Sequence, residues 1–133
     1  MMLKKLRATL QQAFSQPDRL HPLEDEAGLD AALDRSRTRP VVLFKHSTWC
    51  GTSLVARREM QRLTETHDVP VYEIVVQVAR PLSNLVAARF GIRHESPQAI
   101  VLVDAQPVYH ASHGDVRADT LRRILEPYFP TPR

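Results

Sequence analysis

The chain has 133 residues, 43% of them hydrophobic, with 18 Lys plus Arg against 15 Asp plus Glu and a formal net charge of +3. That is enough apolar material for a core that folds unaided, and with no interdomain linker residues 1–133 read as a single domain. The charges are scattered rather than striped, which argues against a nucleic-acid partner. No apolar run approaches the length of a bilayer span or forms a leader, so a cytoplasmic protein with no membrane partner is the expectation.

Leu3, Leu6, Leu10 and Phe14 recur at helical spacing, so residues 1–18 are expected to form a short helical extension ending near Pro17. RLHPLED follows as an edge-like strand, because Pro22 has no N–H to give a neighbour on that side. AGLDAALDR reads as helix. After Pro40, VVLF is a continuous apolar, β-branched run of the kind found in a central strand covered on both faces. A helix is expected immediately after Cys50, with Ala56, Met60 and Leu63 facing a core and Arg57, Arg58 and Glu59 on a mostly solvated side.

VYEIVV, residues 71–76, reads as the next strand. Pro81 opens a helix whose face is Leu82, Leu85, Val86 and Phe90, and Gly91 ends it. AIVLVD and PVYHAS, joined through Ala105 and Gln106, fit an antiparallel hairpin, and Leu121, Ile124 and Leu125 mark a last helix. The order β, α, β, α, β, α, β, β, α calls for an α/β fold with parallel strands joined by crossovers and a terminal hairpin. In such folds a site is expected beyond the carboxyl end of the central strand. Cys50 falls there.

Cys50 is the single cysteine, so no bridge can form within one chain and any thiol chemistry passes between molecules. At the first turn of a helix, free N–H groups and the positive dipole end favour a thiolate, and such placement brings a thiol from about 8.5 into roughly the 3.5–7.5 range. A moderate depression is expected, since nucleophilicity falls with pKa. Lys45 or His46 would add positive charge if its side chain turns toward the sulfur. Ser53, one helical turn on, can donate a hydrogen bond to it but cannot attack a mixed disulfide as a second cysteine would.

A free cysteine is most often a small buried hydrophobe. The small or polar neighbours Thr48, Gly51, Thr52 and Ser53 suit a helix mouth better than a core, which favours a catalytic Cys50. Trp49 is either a partner contact or a rim residue. The Ser96–Pro97 bond precedes a buried strand, where a cis peptide can serve, but only about 5% of X-Pro bonds are cis, so the residues alone do not assign it. His94, His110 and His113 match no zinc spacing and read as polar surface or hairpin residues, with no metal site expected. Asp115 is expected to cap the last helix.

The combination of VVLFKHSTWCGTS with FGIRHESPQAIVLVDAQPVYHASH resembles the thioredoxin superfamily and, more narrowly, the YtxJ family of bacillithiol-system, bacilliredoxin-like monothiol proteins, over roughly residues 19–127. The resemblance implies a thioredoxin-like fold, a central mixed β-sheet flanked by helices, with Cys50 as redox thiol and Pro97 as a cis-proline opposite it. It also implies removal of bacillithiol, or a similar low-molecular-weight thiol, from S-thiolated proteins. Cys50 would carry the mixed disulfide, and a second small thiol would resolve it. Thr48, Trp49, Ser96, Pro97 and Gln98 would line the groove for an extended substrate. The small thiol is then a co-substrate, no cofactor is tightly bound, and the partners are S-thiolated proteins.

Two positions depart from the family's pattern: Gly51 stands where a CPIS motif has proline, and Gly114 follows HASH where an aromatic is common. CGTS is also one residue from the CGFS of monothiol glutaredoxins, which makes an iron–sulfur cluster carrier the alternative, although the paired glycines those proteins carry after the cis-proline strand are absent. A noncatalytic thioredoxin-like interaction module is the third reading.

Overall fold

The computed structural model describes residues 19–129, and the helix expected over residues 1–18 lies outside them. Strand β1 (Leu20–Pro22) leads through Asp25, whose carboxylate caps the next helix by accepting from Gly28 N at 2.7 Å, into α1 (Glu26–Arg35). The chain then forms β2 (Val41–His46), α2 (Gly51–Thr66), β3 (Val71–Val75) and α3 (Arg80–Phe90). Gly91 ends α3 in the left-handed conformation at φ 63°, where a residue without Cβ is unstrained. The hairpin β4 (Gln98–Val103) and β5 (Gln106–Ser112), then α4 (Ala118–Leu125), complete the described elements, with short 3₁₀ turns at His113–Asp115 and Glu126–Tyr128.

The strands form one sheet in the order β1-β3-β2-β4-β5. Every residue of β2 is buried: Val41–Phe44 as their uninterrupted apolar run requires, and Lys45 and His46 with the polar partners described below. Strand alternation divides the core in two. Val42 and Phe44 pack with Ala56, Met60 and Leu63 of α2 and Leu121 and Leu125 of α4. Val41 and Leu43 face the other way, onto Leu29 and Ala32 of α1 and Leu82 and Val86 of α3. The sheet is therefore an apolar layer with α2 and α4 on one side and α1 and α3 on the other.

β1, β3 and β2 are parallel, but β4 runs antiparallel to β2, so the connection through α3 does not deliver the parallel strand that its β-α-β pattern suggests. The reason is residues 91–97, which form neither helix nor strand. The six residues after Gly91 can reach up to about 20 Å, more than the ~16 Å length of α3, so the chain returns to the end where α3 began. β4 starts there, with Gln98 paired to Lys45 beside the carboxyl end of β2. Asp115 does not cap the last helix: Arg117 is at the N-cap of α4, with no side-chain capping bond, and Asp115 lies in the preceding 3₁₀ turn.

Candidate functional site

Cys50 is the N-cap residue of α2, with extended backbone at φ −112° and ψ 124°, and its side chain is partly exposed. It makes no close capping bond like that of Asp25. The backbone N–H of Ser53 first, then that of Thr52, nevertheless favours the thiolate and holds the thiol below its ordinary value. Slight burial acts against this, and the hydroxyls of Thr52 and Ser53 reinforce it.

Ser53 is fully buried, and its oxygen accepts the Ser47 N–H at 3.1 Å. That bond occupies the acceptor side of the hydroxyl and leaves its proton for the sulfur. Gln77, just beyond β3, braces the same loop: its amide donates to the Ser47 hydroxyl at 2.5 Å and its carbonyl lies 3.4 Å from Thr48 N. Trp49 is 87% exposed. It has no packed environment of its own.

Gly51 is the first residue of α2, and a Cβ there would meet nothing within 4 Å. Neither crowding nor a positive φ demands glycine.

The Ser96–Pro97 bond is cis, as the resemblance implies. Pro97 C=O accepts His113 N at 2.8 Å, fixing the end of β5 against the strand entry. Gln98 is buried at 1% exposure, and its amide donates to Arg93 C=O at 3.0 Å and to the Ser112 hydroxyl at 3.3 Å. Glu95 is held below the usual carboxylate range, first by the Ser112 hydroxyl.

Neither basic candidate on β2 turns toward the sulfur. Lys45 points to the face shared by α1 and α3, where it is fully buried, with Nζ 2.9 Å from Ser83 C=O and 3.3 Å from His94 Nδ1. His46 points to the α2 face, 4% exposed and stacked on Phe44, with Nε2 2.7 Å from Glu73 Oε2.

Glu73 also binds Arg57 of α2, at 2.5 Å to Nε. Burial raises the Glu73 carboxyl, but His46 and Arg57 outweigh it and the group lies below its ordinary range. Arg57 is thus half-buried rather than on a solvated helix side. The spacing carried that signal, because Arg57 is four residues from buried Ser53 and shares its face. Glu73 was also visible as a charge in the middle of an apolar strand. Its partners come from elements distant in sequence, and no local pattern names them. His94 differs similarly from a surface histidine: it is partly buried, joined to Lys45 and to Ser83 Oγ at 3.0 Å.

A single thiol at a helix mouth just beyond β2, with a cis-proline at the entry to the strand that pairs with β2, is an arrangement suited to attack on an external disulfide. The family model for the monothiol bacilliredoxin BrxC matches residues 21–121. The chain belongs to the monothiol bacilliredoxin family. Among solved structures, a thioredoxin-fold protein proposed to be an oxidoreductase superposes with a TM-score of 0.74 at 27% identity, over 79% of this chain and 92% of that one. A mutant thioredoxin from Halobacterium salinarum NRC-1 gives 0.68 at 21% identity, over 88% and 96%. The thioredoxin of Fasciola hepatica gives 0.66 at 18%, over 83% and 100%. This bacilliredoxin-family protein therefore has a thioredoxin fold and acts in thiol–disulfide redox chemistry. Among the described residues, no helix is long and apolar enough to cross a membrane.

Proposed function

We propose that the protein is a monothiol oxidoreductase that removes a low-molecular-weight thiol, bacillithiol as the leading candidate, from S-thiolated proteins. The Cys50 thiolate attacks the small-thiol sulfur of the protein mixed disulfide, and the substrate cysteine leaves as a thiolate that takes a proton from water. The new Cys50 disulfide is then attacked at the small-thiol sulfur by a second small-thiol thiolate. This releases the symmetrical small disulfide and regenerates Cys50. Each turnover consumes one protein mixed disulfide and one free small thiol and yields the freed protein thiol and one symmetrical small disulfide, so atoms and electrons balance.

The observation that carries this reading is a partly exposed Cys50 favoured as thiolate by the first amides of α2, with Ser53 at the position where a resolving cysteine would stand. An external thiol must then complete the cycle. The groove would be formed by Thr48, Trp49, Ser96, Pro97 and Gln98, with the backbone beside Pro97 pairing to extended substrate. The test is turnover on an S-bacillithiolated model protein with excess bacillithiol, compared with S-glutathionylated substrate plus glutathione. Multiple turnovers that vanish in Cys50→Ser support the reading. A coloured, dimeric preparation with no turnover would replace it with a cluster carrier.

A further inference from the structure

Lys45 is a fully buried ammonium, and among the described residues no carboxylate pairs with it. Its partners are the Ser83 carbonyl and His94 Nδ1. An ammonium can only donate, so Nδ1 must present its lone pair, and the Ser83 hydroxyl 3.0 Å away donates to the same atom. The imidazole proton is thereby fixed on Nε2. Burial first, then the charges of Lys45 and Arg80, hold His94 below its ordinary pKa against an opposing effect of Glu95, so the ring is neutral near pH 7.

His94 is partly exposed, and its Nε2 has no partner among the described residues. Two residues on, the Ser96 hydroxyl is shielded from water and also has no partner. Both belong to the segment that ends at Pro97. Lys45 is paired with Gln98 across the β2–β4 ladder, so the segment that carries both donors enters the sheet at the carboxyl end of β2, the end from which the chain runs on to Cys50, five residues after Lys45. Glu95, the nearby anion, is already engaged by Ser112 and lies 3.6 Å from His113.

We propose that His94 Nε2–H, oriented by Lys45, and the hydroxyl of half-buried Ser96, turned outward from its shielded position by rotation about χ1, form a carboxylate-binding subsite for the small-thiol half of the Cys50 mixed disulfide. The subsite deepens the exchange reading and rests on it for its biological use. It selects small thiols that carry a carboxylate over those with only a hydroxyl, because an anion there compensates the buried ammonium through the imidazole and satisfies two idle donors.

The test converts Cys50 chemically into its mixed disulfides with 3-mercaptopropionate and with 2-mercaptoethanol. Intact mass then gives the exchange equilibrium between them, referenced to an unstructured cysteine peptide. The protein is expected to favour the carboxylate adduct about tenfold over the peptide, the scale of one partly exposed charge-assisted hydrogen bond. His94→Leu should bring the preference to that of the peptide, while His94→Gln, which keeps an N–H near Nε2, should retain most of it. Nitrogen NMR of His94 should show the Nε2–H tautomer and a shift in the carboxylate adduct alone. This readout in the unmutated protein holds even if His94→Leu fails to fold. A preference equal to the peptide's, or one unchanged in a folded His94→Leu, overturns the subsite. The equilibrium needs no turnover, so inactivity on S-thiolated proteins would count against the exchange reading, and a flat preference against the subsite alone.

Discussion

Glu73→Gln removes a carboxylate that His46 and Arg57 share beneath α2 while nearly preserving shape. The Glu73 side chain is 10% exposed, His46 6% and Arg57 23%. Taking one partner from a buried ion pair costs about 3–5 kcal/mol. Because Arg57 can rehydrate partly and the amide oxygen still accepts one hydrogen bond, the loss falls at or somewhat below the bottom of that range, at about 2–3 kcal/mol. For a domain of this size that corresponds to a fall in Tm of about 8–10 °C.

The pH dependence gives a second signature. The folded Glu73 carboxyl lies below its unfolded value, so its stabilisation is complete above the ordinary carboxylate range near 4.3 and is lost as pH falls through the folded value. Urea unfolding of both proteins between pH 3 and 7 should therefore show a gap that is widest above about pH 5 and narrows in acid. Asp34→Asn, which breaks an exposed pair with Arg37 at 3.8 Å, serves as a control and should change stability by no more than about 0.5 kcal/mol. A loss below about 1 kcal/mol for Glu73→Gln, or a gap that does not vary with pH, would refute a buried, charge-bearing tether between α2 and the sheet.

Ser53→Ala should raise the pH midpoint of Cys50 alkylation without restoring an ordinary thiol, because the Ser53 and Thr52 amides remain. It should also cost about 1–2 kcal/mol by leaving Ser47 N–H without its acceptor. Gly51→Pro should raise stability by about 0.5–1 kcal/mol in thermal melts and leave the alkylation midpoint in place, since Cys50 already has the extended backbone that precedes proline and the first helical position favours it. Burial depresses Lys45 to about 8, so the unfolded chain binds more protons between about 8 and the ordinary lysine value near 10.4. The protein should gain stability across that window on this account, and Lys45→Met should lose the gain. Equal slopes in the two proteins would contradict a buried charged Lys45.

The sequence was most legible where a local pattern has one physical solution. The VVLF run demands cover on both faces, and β2 is buried throughout. Its end, followed by a helical apolar stripe, puts Cys50 at the mouth of α2. Gly91 similarly announces the end of α3 through the left-handed turn it permits. What was not legible depends on partners distant in sequence. The direction of β4 is decided by the return of residues 91–97, and the facing of Lys45 away from the thiol follows from strand alternation once Phe44 is known to pack on α2. Glu73 and Arg57 are sixteen residues apart in the chain and acquire meaning only when α2 lies on the sheet. The cis bond at Pro97 was carried by the resemblance, since base rates alone opposed it.

The most direct measurement is intact mass of the reduced protein after incubation with bacillithiol disulfide, with glutathione disulfide in parallel, Cys50→Ser as control, and release by excess free thiol. The account predicts a rapid adduct of one bacillithiol on Cys50, absent from the variant and removed by free bacillithiol. An accessible, reduced Cys50 that forms no adduct with either disulfide would contradict it.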